Sequence, residues 1–193
     1  MGHESLVHLE IKKNKLVNTV GIGNMGKLEE LYLNENEITD FSTLKNLPKL
    51  KKLDLNINKI ANLKQMPNLP CLEHLDLGAN AIELPNGDIP ELAGCTSLRN
   101  IVMAGNPFAD ALGDKLKIEV VLTLKKIKFV GEDEINDEDR TAAKEEAKER
   151  KKAAYAAALE ADRLAMERAA AGETGENQPE GGDEVLQQEE DES

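Results

Sequence analysis

Between Leu28 and Cys71 the sequence repeats itself at a fixed distance. Leu28, Leu31, Leu33, Asn36, Ile38, Phe41, Leu44 and Leu47 return 22 residues later as Leu50, Leu53, Leu55, Asn58, Ile60, Leu63, Met66 and Leu69. A period of this kind restricts the chain to an array of stacked units, because one such unit cannot bury its own apolar face. The pattern extends in both directions. Leu6, Leu9, Ile11, Asn14 and Leu16 form an earlier copy. Leu72, Leu75, Leu77, Asn80 and Ile82 form a fourth, and Leu98, Ile101, Met103, Asn106 and Phe108 a fifth. The fourth runs longer, through Pro85, Asn86, Gly87 and Asp88, which predicts a wider turn on the return side. A truncated sixth copy is expected to start at Leu124, 26 residues after Leu98, and to use Ile127 and Phe129.

Each unit reads as a short strand followed by a return. Leucines at alternate strand positions point into a core, and the residues between them point outward. The recurrent Asn falls where the chain leaves the strand. A buried turn leaves backbone groups without partners, and an amide side chain can both donate and accept there. Return residues such as Phe41, Leu44 and Leu47 supply the opposite wall of the core. The expected fold class is therefore α/β: a solenoid of six short parallel strands with a helical or irregular convex side.

Parallel strands make the outward residues one continuous concave surface, the candidate protein-binding site. It comprises Glu30, Tyr32 and Asn34; Lys52, Asp54 and Asn56; and His74 and Asp76. His8, Glu10 and Lys12 flank it on one side, and Asn100, Val102, Ala104, Lys126 and Lys128 on the other. Tyr32 is the only aromatic in this set, and aromatics are enriched at interface hot spots.

The repeats give way to a different composition near Gly131. Before it, Asp114 is expected to cap a helix through Thr123, with Leu116, Val120, Val121 and Leu124 facing inward. No cap is expected at the N-terminal side of the first copy, which either frays or is covered by a partner. After Gly131, Asn136 or Asp137 is a candidate helix N-cap. From there to Ala171 the chain has no Gly or Pro and is rich in Ala, Glu, Lys and Arg, all strong helix formers. Such a helix would be about 50 Å long. Its thin apolar stripe, Tyr155, Leu159 and Met166, suits a rod docked on a partner. The domain boundaries expected are 1–131 for the repeats, 132–171 for the helix and 172–193 for a disordered acidic tail.

Charge follows the same division. Residues 1–131 hold 16 acids and 16 bases, residues 132–171 are net −4, and residues 172–193 are net −9. The folded body is thus neutral, without the basic footprint of a nucleic-acid binder. No apolar run is long enough to span a membrane. The two cysteines, Cys71 and Cys95, belong to no CxxC motif and suit a reducing compartment. His8 and His74 would lie three strands, roughly 15 Å, apart, too far to share a metal. No nucleophile is paired with a base and no phosphate loop is present. No catalytic residue, cofactor or metal is expected.

These repeats resemble the 22-residue cytosolic class of leucine-rich repeats. That class includes phosphatase regulators, a spliceosomal protein, acidic nuclear phosphoproteins and an axonemal dynein light chain. The segment Ala104 to Gly131 (AGNPFADALGDKLKIEVVLTLKKIKFVG) looks like the cap of that class. It departs from the usual cap at Lys115-Leu116 and at Phe129-Val130-Gly131. Continuation into the charged helix of Gly131 to Ala153 is similar to the leucine-rich repeat proteins of ciliary radial spokes, as is the extended repeat from Ala79 to Pro107. That resemblance implies a non-enzymatic structural subunit in the cytoplasm, located at the cilium or flagellum axoneme. Its partners would be other axonemal or radial spoke proteins, met by the concave face and the long helix. A soluble adaptor for a phosphatase or dynein motor and a nuclear adaptor are the alternatives.

Overall fold

The computed structural model describes residues 5–64, 66–83 and 89–170. The chain divides into two compact units, Met1–Glu149 and Arg150–Ser193. The first holds one sheet whose strands follow sequence order: β1 (His8–Glu10), β2 (Glu30–Tyr32), β3 (Lys52–Asp54), β4 (His74–Asp76), β5 (Asn100–Val102), β6 (Phe129–Val130) and β7 (Asp133–Glu134). The first six run parallel and β7 closes antiparallel on β6. Leu9, Leu31, Leu53, Leu75 and Ile101 stand in register, as a strict repeat requires.

The return side is irregular in the early units and helical later. A 3-10 helix covers Ile89–Gly94, and α1 (Pro107–Leu112) and α2 (Lys115–Thr123) follow β5. The predicted inward residues form the core. Leu28, Leu31, Leu33, Leu44, Leu50, Leu55, Leu69, Leu72 and Leu77 are fully buried, and Phe41 and Leu47 nearly so. Leu6, Leu9, Ile11 and Leu16, their counterparts in the first copy, are only partly buried. The turn at Pro85 to Asp88 lies outside the described residues, as does the acidic tail from Gly172 to Ser193.

The asparagines tie each unit to its neighbour. The Asn58 amide donates to the carbonyls of Leu33 (3.1 Å), Leu55 (3.0 Å) and Asn56 (3.3 Å), while its oxygen accepts from the N–H of Ile38 (2.9 Å). Asn36, Asn80 and Asn106 repeat this pattern. The residue before each ladder position adopts a left-handed backbone: Lys13, Glu35, Ile57, Ala79 and Gly105. Only Gly105 does so without a steric cost. Ile57, β-branched at φ 51°, is the most strained of the five.

Two expectations need correction. The sixth copy starts at Ile127, not Leu124. In every unit two successive N–H groups share one carbonyl of the preceding unit, as Glu29 and Glu30 share that of Val7 (2.8 and 3.1 Å). The pair that shares the Arg99 carbonyl is Lys128 and Phe129 (2.7 and 3.0 Å), so Ile127 takes the starting place, 29 residues after Leu98. Leu124 plays the part of Leu47 and Leu69, closing the turn just before a strand. The three extra residues are taken up by the helical return of α1 and α2. Asp114, for its part, makes no side-chain capping bond, because its own backbone is already helical (φ −61°, ψ −23°). Val120, Val121 and Leu124 are buried as expected, and Leu116 is half-buried.

Helix α3 runs Asp137–Ala170. Asn136 is its N-cap, in a reciprocal pair with Asp139: each backbone N–H meets the other's side-chain oxygen, at 3.0 and 2.9 Å. Its first turns belong with the repeats. Arg140 donates to the Ile127 carbonyl (2.7 Å), and Ile135 and Ala143 are buried in the core. The described part of the second unit is the remainder of this helix, and its described side chains from Arg150 to Ala169 are all exposed.

Replacing Asn58 with Ala strands the buried N–H of Ile38 and takes one of two donors from each of the Leu33, Leu55 and Asn56 carbonyls, so a loss of about 2 kcal/mol or more is expected. Asn14, exposed and bonded only to the Lys12 carbonyl, is expected to lose under about 1 kcal/mol on the same change. Urea denaturation of the two variants checks the contrast. Equal losses would mean that the ladder is not what binds the units.

Candidate functional site

The outward positions of β1 to β6 form three rows across the sheet. Register places His8, Glu30, Lys52, His74, Asn100 and Phe129 in the first, and Glu10, Tyr32, Asp54, Asp76 and Val102 in the second. Lys12, Asn34, Asn56, Gly78 and Ala104 follow two residues on. The eight candidate residues thus come together on one face. Glu30, Tyr32, Asn34, Lys52, Asp54, Asn56 and Asp76 are half-buried, and His74 is exposed. Lys126 and Lys128 do not join it as expected. With the sixth unit starting at Ile127, Phe129 takes the place opposite Asn100, with 36% of its surface exposed. Counting back from the buried Val130 to the two residues that share the Arg99 carbonyl identifies this position; the leucine spacing alone does not.

Tyr32 is fixed on three sides. Its hydroxyl donates to Glu30 Oε2 (3.1 Å), Lys52 Nζ lies 4.8 Å from its ring centre, and the His8 ring packs at 5.2 Å, tilted 43°. His8 Nδ1 also meets Glu30 Oε2 (3.1 Å). These bonds, His8 first and then Tyr32, hold the Glu30 carboxyl below its usual range. Contact with Tyr32 raises the Lys52 ammonium. On β1, Glu10 and Lys12 form an ion pair that lowers the carboxyl of Glu10.

Asp54 and Asp76 differ from these. They stand opposite each other on β3 and β4. Asp54 Oδ1 accepts the N–H of Asn56 (3.0 Å); Asp76 Oδ1 accepts the N–H of Gly78 (2.8 Å) and the Asn56 amide (3.3 Å). Burial, helped by the neighbouring Asp76 charge, raises the Asp54 carboxyl above its usual 3.8. A Cβ at Gly78 would lie 2.6 Å from the Asn56 amide nitrogen, so a larger residue there would push that side chain away from Asp76.

On α3, Tyr155, Leu159 and Met166 are exposed at 73%, 61% and 74%, and the 3.6-residue period puts them on one side. Leu164, also exposed, falls on the opposite side. Both cysteines are free; Cys71 is exposed, and burial pushes the Cys95 thiol up to about 11. Among the described residues no group of three potential metal ligands occurs, and no helix is long and apolar enough to cross a membrane.

A family profile described as Leucine Rich repeats (2 copies) matches residues 26–68. The fold is a leucine-rich repeat solenoid. Solved leucine-rich repeat structures align with most of the chain. A chain in the crystal structure of the Drosophila melanogaster SNF/U2A′ complex is 24% identical, with a TM-score of 0.58, over 72% of this chain and 78% of that one. An internalin (InlF) from Listeria monocytogenes is 27% identical, with a TM-score of 0.52, over 68% of this chain. The alignment spans 36% of the internalin's length. No curated protein sequence matches the chain significantly.

Asp54→Asn tests the electrostatics of this leucine-rich repeat face. The amide keeps the acceptor for Asn56 and removes the charge. A carboxyl whose folded pKa is raised penalises folding above that pKa, and the penalty fades as pH falls through it. The variant is therefore expected to be more stable than the parent at pH 7 (a higher Tm in thermal unfolding), with the difference shrinking towards pH 4. A difference that grows on acidification would contradict the assignment.

Proposed function

We propose that this chain is a non-enzymatic, protein-binding subunit of the ciliary or flagellar axoneme, a radial spoke component. The strand face grips a partner subunit and the long helix docks along the complex. The observation that carries the binding role is the setting of Tyr32. An aromatic ring held by Glu30, Lys52 and His8 loses little freedom on contact, which is the property of an interface anchor. A solenoid with a half-buried polar sheet face and no metal-ligand cluster among the described residues suits holding better than catalysis. Resemblance of the extended repeat from Ala79 to Pro107 and of the charged helix from Gly131 to Ala153 to radial spoke leucine-rich repeat proteins supports the axonemal reading. The exposed stripe of Tyr155, Leu159 and Met166 gives the helix an apolar side for such an assembly.

Fractionation of tagged protein from ciliated cells tests this. Retention in the axoneme through detergent, then release with spoke subunits by chaotropic salt, is expected. Tyr32→Ala is expected to shift the protein into the detergent-soluble fraction without unfolding it. Release of the parent protein by detergent alone, or recovery from nuclei, would end the axonemal reading.

A further inference from the structure

The strand face divides according to how its charges are met. Over β1 and β2 each carboxylate has a partner: Glu10 has Lys12, and Glu30 has the Tyr32 hydroxyl and His8. Asp54 and Asp76, side by side on β3 and β4, bond only to N–H groups; Lys52 and Lys12 attract Asp54 from a distance, but among the described residues neither carboxylate is in an ion pair. Past them β5 and β6 place no charge on the face, only Asn100, Val102 and Ala104 and then Phe129, before Glu134 of β7 opposite Phe129. The face therefore offers two adjacent carboxylates outside any ion pair, followed by an apolar step.

We propose that the strand face docks a protein segment that sets a lysine or arginine side chain between Asp54 and Asp76 and an apolar side chain against Val102 and Phe129. The proposal rests on the strand face being the binding surface and adds the chemistry of what it binds. Charge complementarity selects the occupant. Two half-buried carboxylates held only by N–H donors gain most from a cation that brings its own hydrogen-bond donors, and a guanidinium can meet both. A phosphate backbone would be repelled. A bare divalent ion would lack ligands, since calcium takes six to eight oxygens. Separation fixes the register: Phe129 lies two strands beyond β4 and two residues back from the level of Asp76, roughly 12 Å away at ordinary strand spacing and rise. The cation and the apolar side chain must be that far apart on the partner. The raised Asp54 carboxyl agrees with this assignment, because a bound cation would offset the cost that burial imposes on its charge.

Selection from a displayed library of random 16-residue peptides on the full chain tests the proposal. Enriched peptides are expected to share a Lys or Arg and an apolar residue at constant separation. One of them, synthesised, is expected to bind D54N/D76N about tenfold more weakly or worse, and F129A more weakly too. Circular dichroism confirms that the variants remain folded, and both asparagines keep the acceptors that hold Asn56 and Gly78. Enriched peptides without a shared cation, or undiminished binding to D54N/D76N, overturn the proposal. If such peptides still lose affinity for Tyr32→Ala, the strand-face reading survives alone. If no strand-face variant weakens them, or no peptide is enriched, both readings fall.

Discussion

The asparagine ladder is the constraint on which the rest of the first unit depends. A strand of three residues has too few backbone bonds to hold its place, and the turn that leaves it points carbonyls into the core. Each buried ladder asparagine (Asn36, Asn58, Asn80 and Asn106) resolves both problems at once. It satisfies carbonyls of its own unit and of the preceding one, and accepts an N–H of that preceding unit. Leucine packing then needs only to fill the space the ladder fixes. The backbone strain at Lys13, Glu35, Ile57 and Ala79 follows from the same arrangement, since the chain must turn left-handed to bring the amide inward.

Much of this was legible in the residues. Leucines repeating in step with the asparagines define the core of the first five units, because in a one-dimensional stack burial and sequence period coincide. The sixth unit was misplaced by three residues for a physical reason. α1 and α2 replace the irregular return after β5, and a helix advances far less per residue than extended chain. The left-handed positions were not legible either. Lysine, glutamate, isoleucine and alanine do not signal that backbone, and only Gly105 does. For the candidate site, alternation was enough to put Glu30, Tyr32, Lys52, Asp54, His74 and Asp76 on one face. Which side chains touch depends on cross-strand register and rotamer, so the Tyr32 setting and the side-by-side pairing of Asp54 and Asp76 without an ion pair emerge only from the structure.

The two halves of that face spend stability differently. Around Tyr32 the polar groups satisfy one another. At Asp54 and Asp76 two like charges stand together, and local structure holds them there: Gly78 admits the Asn56 amide, which in turn bonds Asp76. Lys52 attracts Asp54 along β3 without forming an ion pair, unlike Lys51 with Glu29 and Lys59 with Glu37. Those two pairs, each spanning adjacent units at 2.7 Å, show that the repeat geometry readily supports such neighbours.

The ladder also sets the order in which the chain can be made. Its inter-unit bonds join residues no more than 29 positions apart, and most only 20 or 25. A ribosome therefore has to release little more than one further unit before the previous one can be closed. Structure can grow outward behind the tunnel, one rung per unit, with no distant segment to wait for. The last unit is the exception, because its turn is bonded by Arg140 from beyond the sheet. Until those residues emerge, the newest end of the stack stays open.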